Sequence, residues 1–324
     1  MRIEQIYTSC LAEAAYYVSS NGEAFVVDPM RDLDEILAFA KEDNAKIKYV
    51  FETHFHADFV SGHIDLAAKT GAEIVYGPTE METGFDKIVA KDQQVFEVGN
   101  LKVKLIHTPG HTLESSCLLL IDENGNEKAL FSGDTLFIGD VGRPDLAQKV
   151  IPDLTEEKLA KHLYHSLHHK IKALSDDLIV YPNHGKGSAC GKNMRDKRWD
   201  SLGNQKKTNY ALREGLTETQ FVEEVLHGLM PPPGYFPQNV LINIKGYKSL
   251  DEVKNNANRA LSVEAFEALS QEPDVLILDT WEAEEFKKAA VPNSIFIGID
   301  SSFAGLKENN NLKISAYQEQ KTLL

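Results

Sequence analysis

Cysteine is scarce in this chain of 324 residues: three occur, Cys10, Cys117 and Cys190, odd in number and far apart. That excludes a disulfide framework and fits reduced thiols. No apolar run approaches the roughly 20 residues that span a bilayer, and the opening Met1-Arg-Ile-Glu-Gln-Ile-Tyr7 lacks the continuous apolar core of a signal peptide. A cytoplasmic protein without a membrane partner is the expectation. Basic residues are also in deficit, 34 against 49 acidic for a net charge of -15, which repels nucleic acid. What remains is ordinary for a folded globular chain, 42% hydrophobic and 26% charged. The length exceeds one average domain, so two units are expected, residues 1–250 and 251–324.

Metal-type side chains gather in Lys48-Tyr-Val-Phe-Glu-Thr-His-Phe-His-Ala-Asp-Phe-Val-Ser-Gly-His63. Tyr49 to Phe51 form an apolar run too short for a helix, so a buried strand releases His54, His56 and Asp58. Alternation puts His54 and His56 on one side of an extended backbone, about 6 to 7 Å apart, close enough to converge on one ion.

Three further segments repeat the device. A strand from Leu101 to Ile106 runs into His107-Thr-Pro-Gly-His-Thr112, where Pro109-Gly110 bends the chain and aims His111. A hairpin turning at Asn124-Gly125 exits into Ser132-Gly-Asp134, and the strand Leu178 to Tyr181 releases Pro182-Asn-His-Gly185. From His54 the intervals to His111, Asp134 and His184 are 57, 23 and 50 residues. Between these segments, antiparallel strands (Arg2 to Tyr7, Ala14 to Val18, Glu23 to Val27) open the fold, Asp32 caps a helix to about Asn44, and His63 to Gly71 and Thr155 to Leu174 read as further helices. The histidines of the last helix, His162, His165, His168 and His169, read as a solvated face, since no acid or thiol accompanies them.

His-x-His-x-Asp, Gly-His, Ser-Gly-Asp and Asn-His-Gly in this order resemble the metallo-β-lactamase fold superfamily over roughly residues 1–250. The resemblance implies an α/β protein with an αββα sandwich. Binuclear hydrolases of this superfamily, such as hydroxyacylglutathione hydrolase, carry a second His directly after the Asp, where this chain has Phe59. Phe cannot bind a metal, so the second-metal site loses a ligand. His54, His111 and Asp134 then present the two-His, one-carboxylate face suited to Fe(II).

Thr53-His-Phe-His-Ala-Asp-Phe-Val-Ser-Gly62, Gly133-Asp-Thr-Leu-Phe137, Gly142-Arg-Pro-Asp145 and Gly185-Lys-Gly-Ser-Ala-Cys-Gly191 are similar to persulfide dioxygenases fused to rhodanese domains. This resemblance implies oxidation of a thiol persulfide, such as that of glutathione, by O₂ to sulfite and thiol. One Fe(II) would sit on His54, His111 and Asp134, with His56, Asp58 and His184 orienting ligands and substrate. A zinc-dependent thioester hydrolase is the alternative, and a sulfur-binding protein with a vestigial site is the reading from another class. A homo-oligomer is compatible with each.

Arg143 and Asp145 are expected to brace the site, and Cys117 to be a small core residue. Cys190, set in the uncrowded backbone of Gly187, Ser188 and Gly191 with Lys186 and Lys192 placed to lower its pKa toward the thiolate, reads either as a modulating or substrate-proximal thiol or as a structural residue. Residues 191–214 carry seven basic side chains against three acidic, read either as a solvated face or as a rim attracting an anionic thiol.

After Pro231-Pro-Pro-Gly-Tyr-Phe-Pro237, a stiff connection, the order of a helix opened by Ser262, a strand Val275 to Asp279, a helix from Glu284 and a strand near Pro292 to Ile297 resembles the first half of a rhodanese domain. With no cysteine beyond Cys190 it is not expected to transfer sulfur. The polar tail Lys307 to Leu324 lacks the periodicity to extend the sheet.

Overall fold

The computed structural model describes residues 1–146, 154–257 and 260–297; the tail from Lys307 lies outside them. Two compact units are present, one comprising residues 1–232 and 236–247, the other 233–235 and the chain from Lys248.

The large unit is built on two six-stranded sheets. The first holds, in spatial order, β1 (Arg2–Thr8), β2 (Glu13–Ser20), β3 (Glu23–Val27), β4 (Lys46–Glu52), β5 (Glu73–Tyr76) and β6 (Ile88–Val89). Its first three strands are antiparallel and β3 to β6 run parallel. The second runs from β7 (Val95–Val98) through β8 (Leu101–His107), β9 (Ser116–Ile121), β10 (Glu127–Gly133) and β11 (Ile179–Pro182) to β12 (Asp200–Ser201). All its pairs are antiparallel except β10 with β11.

Alternation along the strands sets the layers. Tyr16, Val18, Phe25 and Val27 face the space between the sheets, where they meet Val103, Leu105, Leu118, Leu120 and Phe131. Phe25 stands edge-on to both Phe51 (5.6 Å) and Phe131 (6.0 Å), joining the sheets through aromatic contact. The intervening residues Tyr17, Ala24 and Val26 face outward and pack on Ile36 of α1 (Asp34–Glu42) and Leu66 of α2 (His63–Thr70). On the other outer face Cys117, Leu119 and Leu130 pack on Leu163 of α3 (Glu156–His165) and on Phe221 and Val225 of α5 (Glu218–Leu226). The short α4 (Leu202–Thr208) adds Leu202 to this core. The expected αββα architecture is therefore observed.

The single amphipathic helix expected over 155–174 instead continues from α3 into a π-helical turn, Ser166–Ile171, closed by Lys172 N–H donating to Leu167 O at 2.9 Å. Of its histidines, His162, His165 and His169 are exposed as expected, but His168 stacks on Tyr164 at 4.2 Å and donates to Ala211 O. The Pro-rich stretch is followed by a helix the sequence pattern did not suggest, α6 (Phe236–Lys245).

The small unit contains α7 (Leu250–Ala257), α8 (Val263–Ser270), α9 (Ala283–Lys288) and a parallel pair, β13 (Leu278–Asp279) with β14 (Ile295–Phe296). Ser262 caps α8 by accepting from Ala265 N–H at 3.2 Å. A parallel pair joined by a helix is common to many α/β folds and does not make this unit a rhodanese domain. Among the described residues, no helix is long and apolar enough to cross a membrane.

Candidate metal centre

The candidate residues follow the carboxyl ends of β4, β8, β10 and β11, where the loops of the two sheets are stitched together. Ser116 N–H donates to Thr53 O at 2.9 Å and Ala14 N–H to Asn183 O at 2.7 Å. Close backbone approach explains two glycines here. Gly133 has φ +52°, and a Cβ on it would lie 2.7 Å from the Thr53 side chain; one on Gly142 would lie 1.9 Å from Asp134 O.

His54, His111 and Asp134 each offer a ligand atom within 4.8 Å of the others, all buried, and Asp58, His184 and Cys190 form a second such group. His56 groups instead with Asp28 and Glu52.

Each imidazole has one nitrogen held, which fixes the tautomer and frees the other lone pair. Thr53 Oγ1 donates to Asp28 Oδ2 at 2.8 Å and so accepts from His54 Nδ1 at 3.0 Å. His111 Nδ1 donates to Arg143 O at 2.7 Å. His184 Nδ1 has two acceptors, Ala12 O at 3.3 Å and a Glu13 carboxylate oxygen at 2.9 Å. His56 Nε2 donates to Asp28 Oδ1 at 2.9 Å, with Glu52 Oε2 at 3.4 Å, so its Nδ1 carries the lone pair. His56 thus offers a further donor beside the first group, its ring 4.2 Å from that of His54.

Buried polar atoms without a hydrogen-bond partner concentrate at this point: His56 Nδ1, Asp58 Oδ1, both oxygens of Asp134 and His184 Nε2. Unpaired buried polar atoms cost about 1–3 kcal/mol each, and their convergence is what a cation site requires. Burial and neighbouring imidazoles push the His54 pKa well down, keeping it neutral and able to bind an ion. Burial alone would also lower His56, but Asp28 and then Glu52 outweigh it and hold the group up to about 10. A cation there would displace a proton.

Arg143 braces the centre as expected, through a bidentate pair with Asp145 (2.6 and 2.7 Å) and through its own carbonyl on His111. Cys117 is a buried core residue. The basic stretch is absorbed locally: Lys192 Nζ donates to Glu224 O, Val225 O and His227 O at the end of α5, and Arg213 pairs with Glu224.

Cys190 corrects the expectation made for it. It is 1% exposed, the Lys192 ammonium is engaged by backbone carbonyls at the end of α5, and burial together with the Asp58 charge pushes its pKa up instead of down.

Several residues that shape the centre escaped the motif reading. Asp28 accepts four hydrogen bonds at the end of β3. Glu114 Oε1 accepts from Phe55 N–H at 3.0 Å. Asn243 of α6 accepts from Ser61 N–H at 3.0 Å and donates to His56 O (2.9 Å) and Phe59 O (2.8 Å), clamping the His-x-His-x-Asp loop. No motif surrounds these residues; for Asp28 the signal was an acid directly after an apolar strand.

Residues 9–184 match the metallo-β-lactamase superfamily, and the chain belongs to it. Among curated proteins it is similar to a probable hydroxyacylglutathione hydrolase of Schizosaccharomyces pombe, 32% identical over 163 residues, 49% of this chain and 57% of that protein. Three other relatives, 29–31% identical, are named hydroxyacylglutathione hydrolase. The chain thus spans less than two thirds of the length of the first of these relatives.

Among solved structures, a metallo-β-lactamase from Staphylococcus aureus superposes with TM-score 0.80 at 31% identity, covering 96% of this chain and 88% of that one. ETHE1 from Myxococcus xanthus superposes at 0.61 with 24% identity, covering 75% and 100%, a likeness of fold.

These relatives overturn the expectation of an iron-dependent persulfide dioxygenase and favour a hydrolase. The physical reason lies in the weight given to Phe59. Phe59 in place of a histidine removes one donor from the second group and leaves His54, His111 and Asp134 all present, and a two-His, one-carboxylate set serves several metals and reactions.

Proposed function

We propose that this chain is a metal-dependent hydrolase of small-molecule thioesters, with hydroxyacylglutathione as the substrate class and zinc as the metal. The observation that carries the reading is the buried trio His54, His111 and Asp134, whose ligand atoms lie within 4.8 Å of one another, in a chain whose curated relatives bear that enzyme name. Imidazole nitrogen and carboxylate oxygen are donors that suit zinc, and three protein ligands leave a position open for catalysis.

A bound divalent ion supplies a lowered pKa for water and polarisation of the thioester carbonyl. The chain's own part is orientation. Thr53 and Arg143 hold the protons of His54 and His111 on Nδ1, so that the Nε2 lone pair of each would be available to an ion. Burial of all three ligands keeps bulk water from competing with substrate.

The test is release of free glutathione from a hydroxyacylglutathione by the zinc-loaded full chain, with His111→Ala and Asp134→Ala alongside. Both variants are expected to lose the tightly held ion and at least about a hundredfold in rate, since each removes one of three ligands. Absence of thiol release by the loaded wild type would sink the substrate class; full metal retention in either variant would sink the ligand set.

A further inference from the structure

Sequence alone leaves His165 and His169 without an acidic partner, but the fold brings one from α5. His165 Nε2 lies 2.9 Å from Glu218 Oε2, and the rings of His165 and His169 lie 5.2 Å apart with their planes 22° from parallel. A tetrahedral zinc-type ion with metal–nitrogen bonds of about 2.0–2.1 Å spaces neighbouring ligand atoms about 3.3 Å apart and two imidazole centroids about 5 Å apart. Both separations seen here are close to those values. The side chains of His165 and Glu218 are 58% and 37% exposed, and His169 is exposed, so an ion reaches all three from solvent without opening the core.

The backbone beneath these side chains is fixed on both sides. The π-helical turn Ser166–Ile171 starts directly after His165 and contains His169, a widened turn of the kind often found at functional sites. Beside it Tyr164 stacks on His168 at 4.2 Å, packs on Phe221 of α5 at 5.6 Å and donates to Leu216 O at 3.0 Å. On the facing side, Thr217 and Gln220 close a capping box around the first turn of α5, with bonds of 3.1 and 3.3 Å, and Glu218 stands inside that turn. The neighbouring Lys161 ammonium pairs with Glu157 at 2.7 Å, which directs its charge to a different carboxylate.

We infer that His165, His169 and Glu218 form a peripheral cation site that clamps the end of α3 to the start of α5, on the outer helical layer and apart from the strand-end metal centre. His169, at the surface, completes it by turning its ring toward the His165–Glu218 pair, a rotamer change open to an exposed side chain. Two imidazole nitrogens and a carboxylate oxygen select zinc, copper(II) or nickel(II) over magnesium or calcium. The ion replaces the direct contact between His165 and Glu218, and no oxidation state changes. The readouts need neither substrate nor turnover, so the site stands or falls separately from the hydrolytic activity.

The experiment uses the zinc-loaded full chain, freed of excess ion and carrying Cys10→Ser to remove an exposed thiol. Further Zn(II) is titrated into it by calorimetry. A saturable event with a dissociation constant below about 100 μM is expected for two imidazoles and a carboxylate. His165→Ala and His169→Ala should each abolish that event, and Glu218→Gln, which keeps the shape of the side chain, should weaken it at least about tenfold. His227→Ala removes an exposed histidine at the other end of α5 and should leave it unchanged. Saturating Zn(II) should also slow amide hydrogen exchange in the first turn of α5 in the Cys10→Ser protein but not after Glu218→Gln is added, as a clamp between helices requires. No event below about 100 μM, an event that survives either histidine replacement, an affinity that Glu218→Gln leaves unchanged, or α5 exchange indifferent to zinc would overturn the site.

Discussion

Asp28 is the hub of hydrogen bonding behind the proposed ligands. It sits in the left-handed region (φ +48°), which Asp tolerates better than most residues. Its two oxygens accept from Thr53 N–H and Thr53 Oγ1 (both 2.8 Å), Asn183 Nδ2 (2.5 Å) and His56 Nε2 (2.9 Å). Through Thr53 it also fixes His54. Asp28→Asn preserves shape and backbone tolerance but sets an NH₂ group against donors. Metal affinity should fall by about 10- to 100-fold with the fold retained, the usual effect of removing a group that orients ligands. Competition with a chromophoric chelator measures it; an unchanged affinity would show that His54 and His56 orient themselves.

At the level of elements, α6 does for the His-x-His-x-Asp loop what Asp28 does for single imidazoles. Asn243 supplies an acceptor to Ser61 N–H and two donor bonds to His56 O and Phe59 O, all buried. Asn243→Ala leaves three backbone groups without that partner, at about 1–3 kcal/mol for each group left unsatisfied, and should lower both melting temperature and metal affinity. Asn243→Asp keeps the acceptor for Ser61 and loses the two donations, so it should fall between the wild type and Ala by both measures. Equal behaviour of Asp and wild type would mean that the carbonyls of His56 and Phe59 need no anchor.

This helix marks where legibility ended. The strands and the loops carrying His54, His111, Asp134 and His184 were readable because short apolar runs end in metal-type residues, a local pattern. Asn243 acts at a separation of more than 180 residues from its partners, and the Pro-rich run before α6 suggested an extended segment. The Cys190 loop failed for the opposite reason: its glycines and lysines suggested exposure, whereas Arg143 and Asp140 fold it inward.

For the large unit as a whole, the packing of layers around one metal edge leaves a titratable group that the proposed chemistry does not use. His63, the first residue of α2, is fully buried among Tyr76, Phe85 and Tyr247, and neither ring nitrogen has a hydrogen-bond partner. Burial, with a smaller contribution from His56, pushes its pKa down to about 3. In the unfolded chain the same imidazole titrates near 6.5. Between those values the unfolded state binds the proton and the folded state does not. Stability from this residue is therefore complete above about pH 6.5 and drains away as pH falls toward 3, at up to about 1.4 kcal/mol per pH unit. His63→Phe removes the titration and the two unpaired nitrogens while keeping an aromatic ring in an aromatic pocket. Denaturant melts from pH 7 down to pH 4 should show a shallower loss of stability in the variant than in the wild type, with the two diverging below about pH 6.5. Parallel curves would mean that His63 is protonated in the folded protein, and the nearby Glu52 carboxyl, 3.8 Å from His63 Nδ1, would then be its partner.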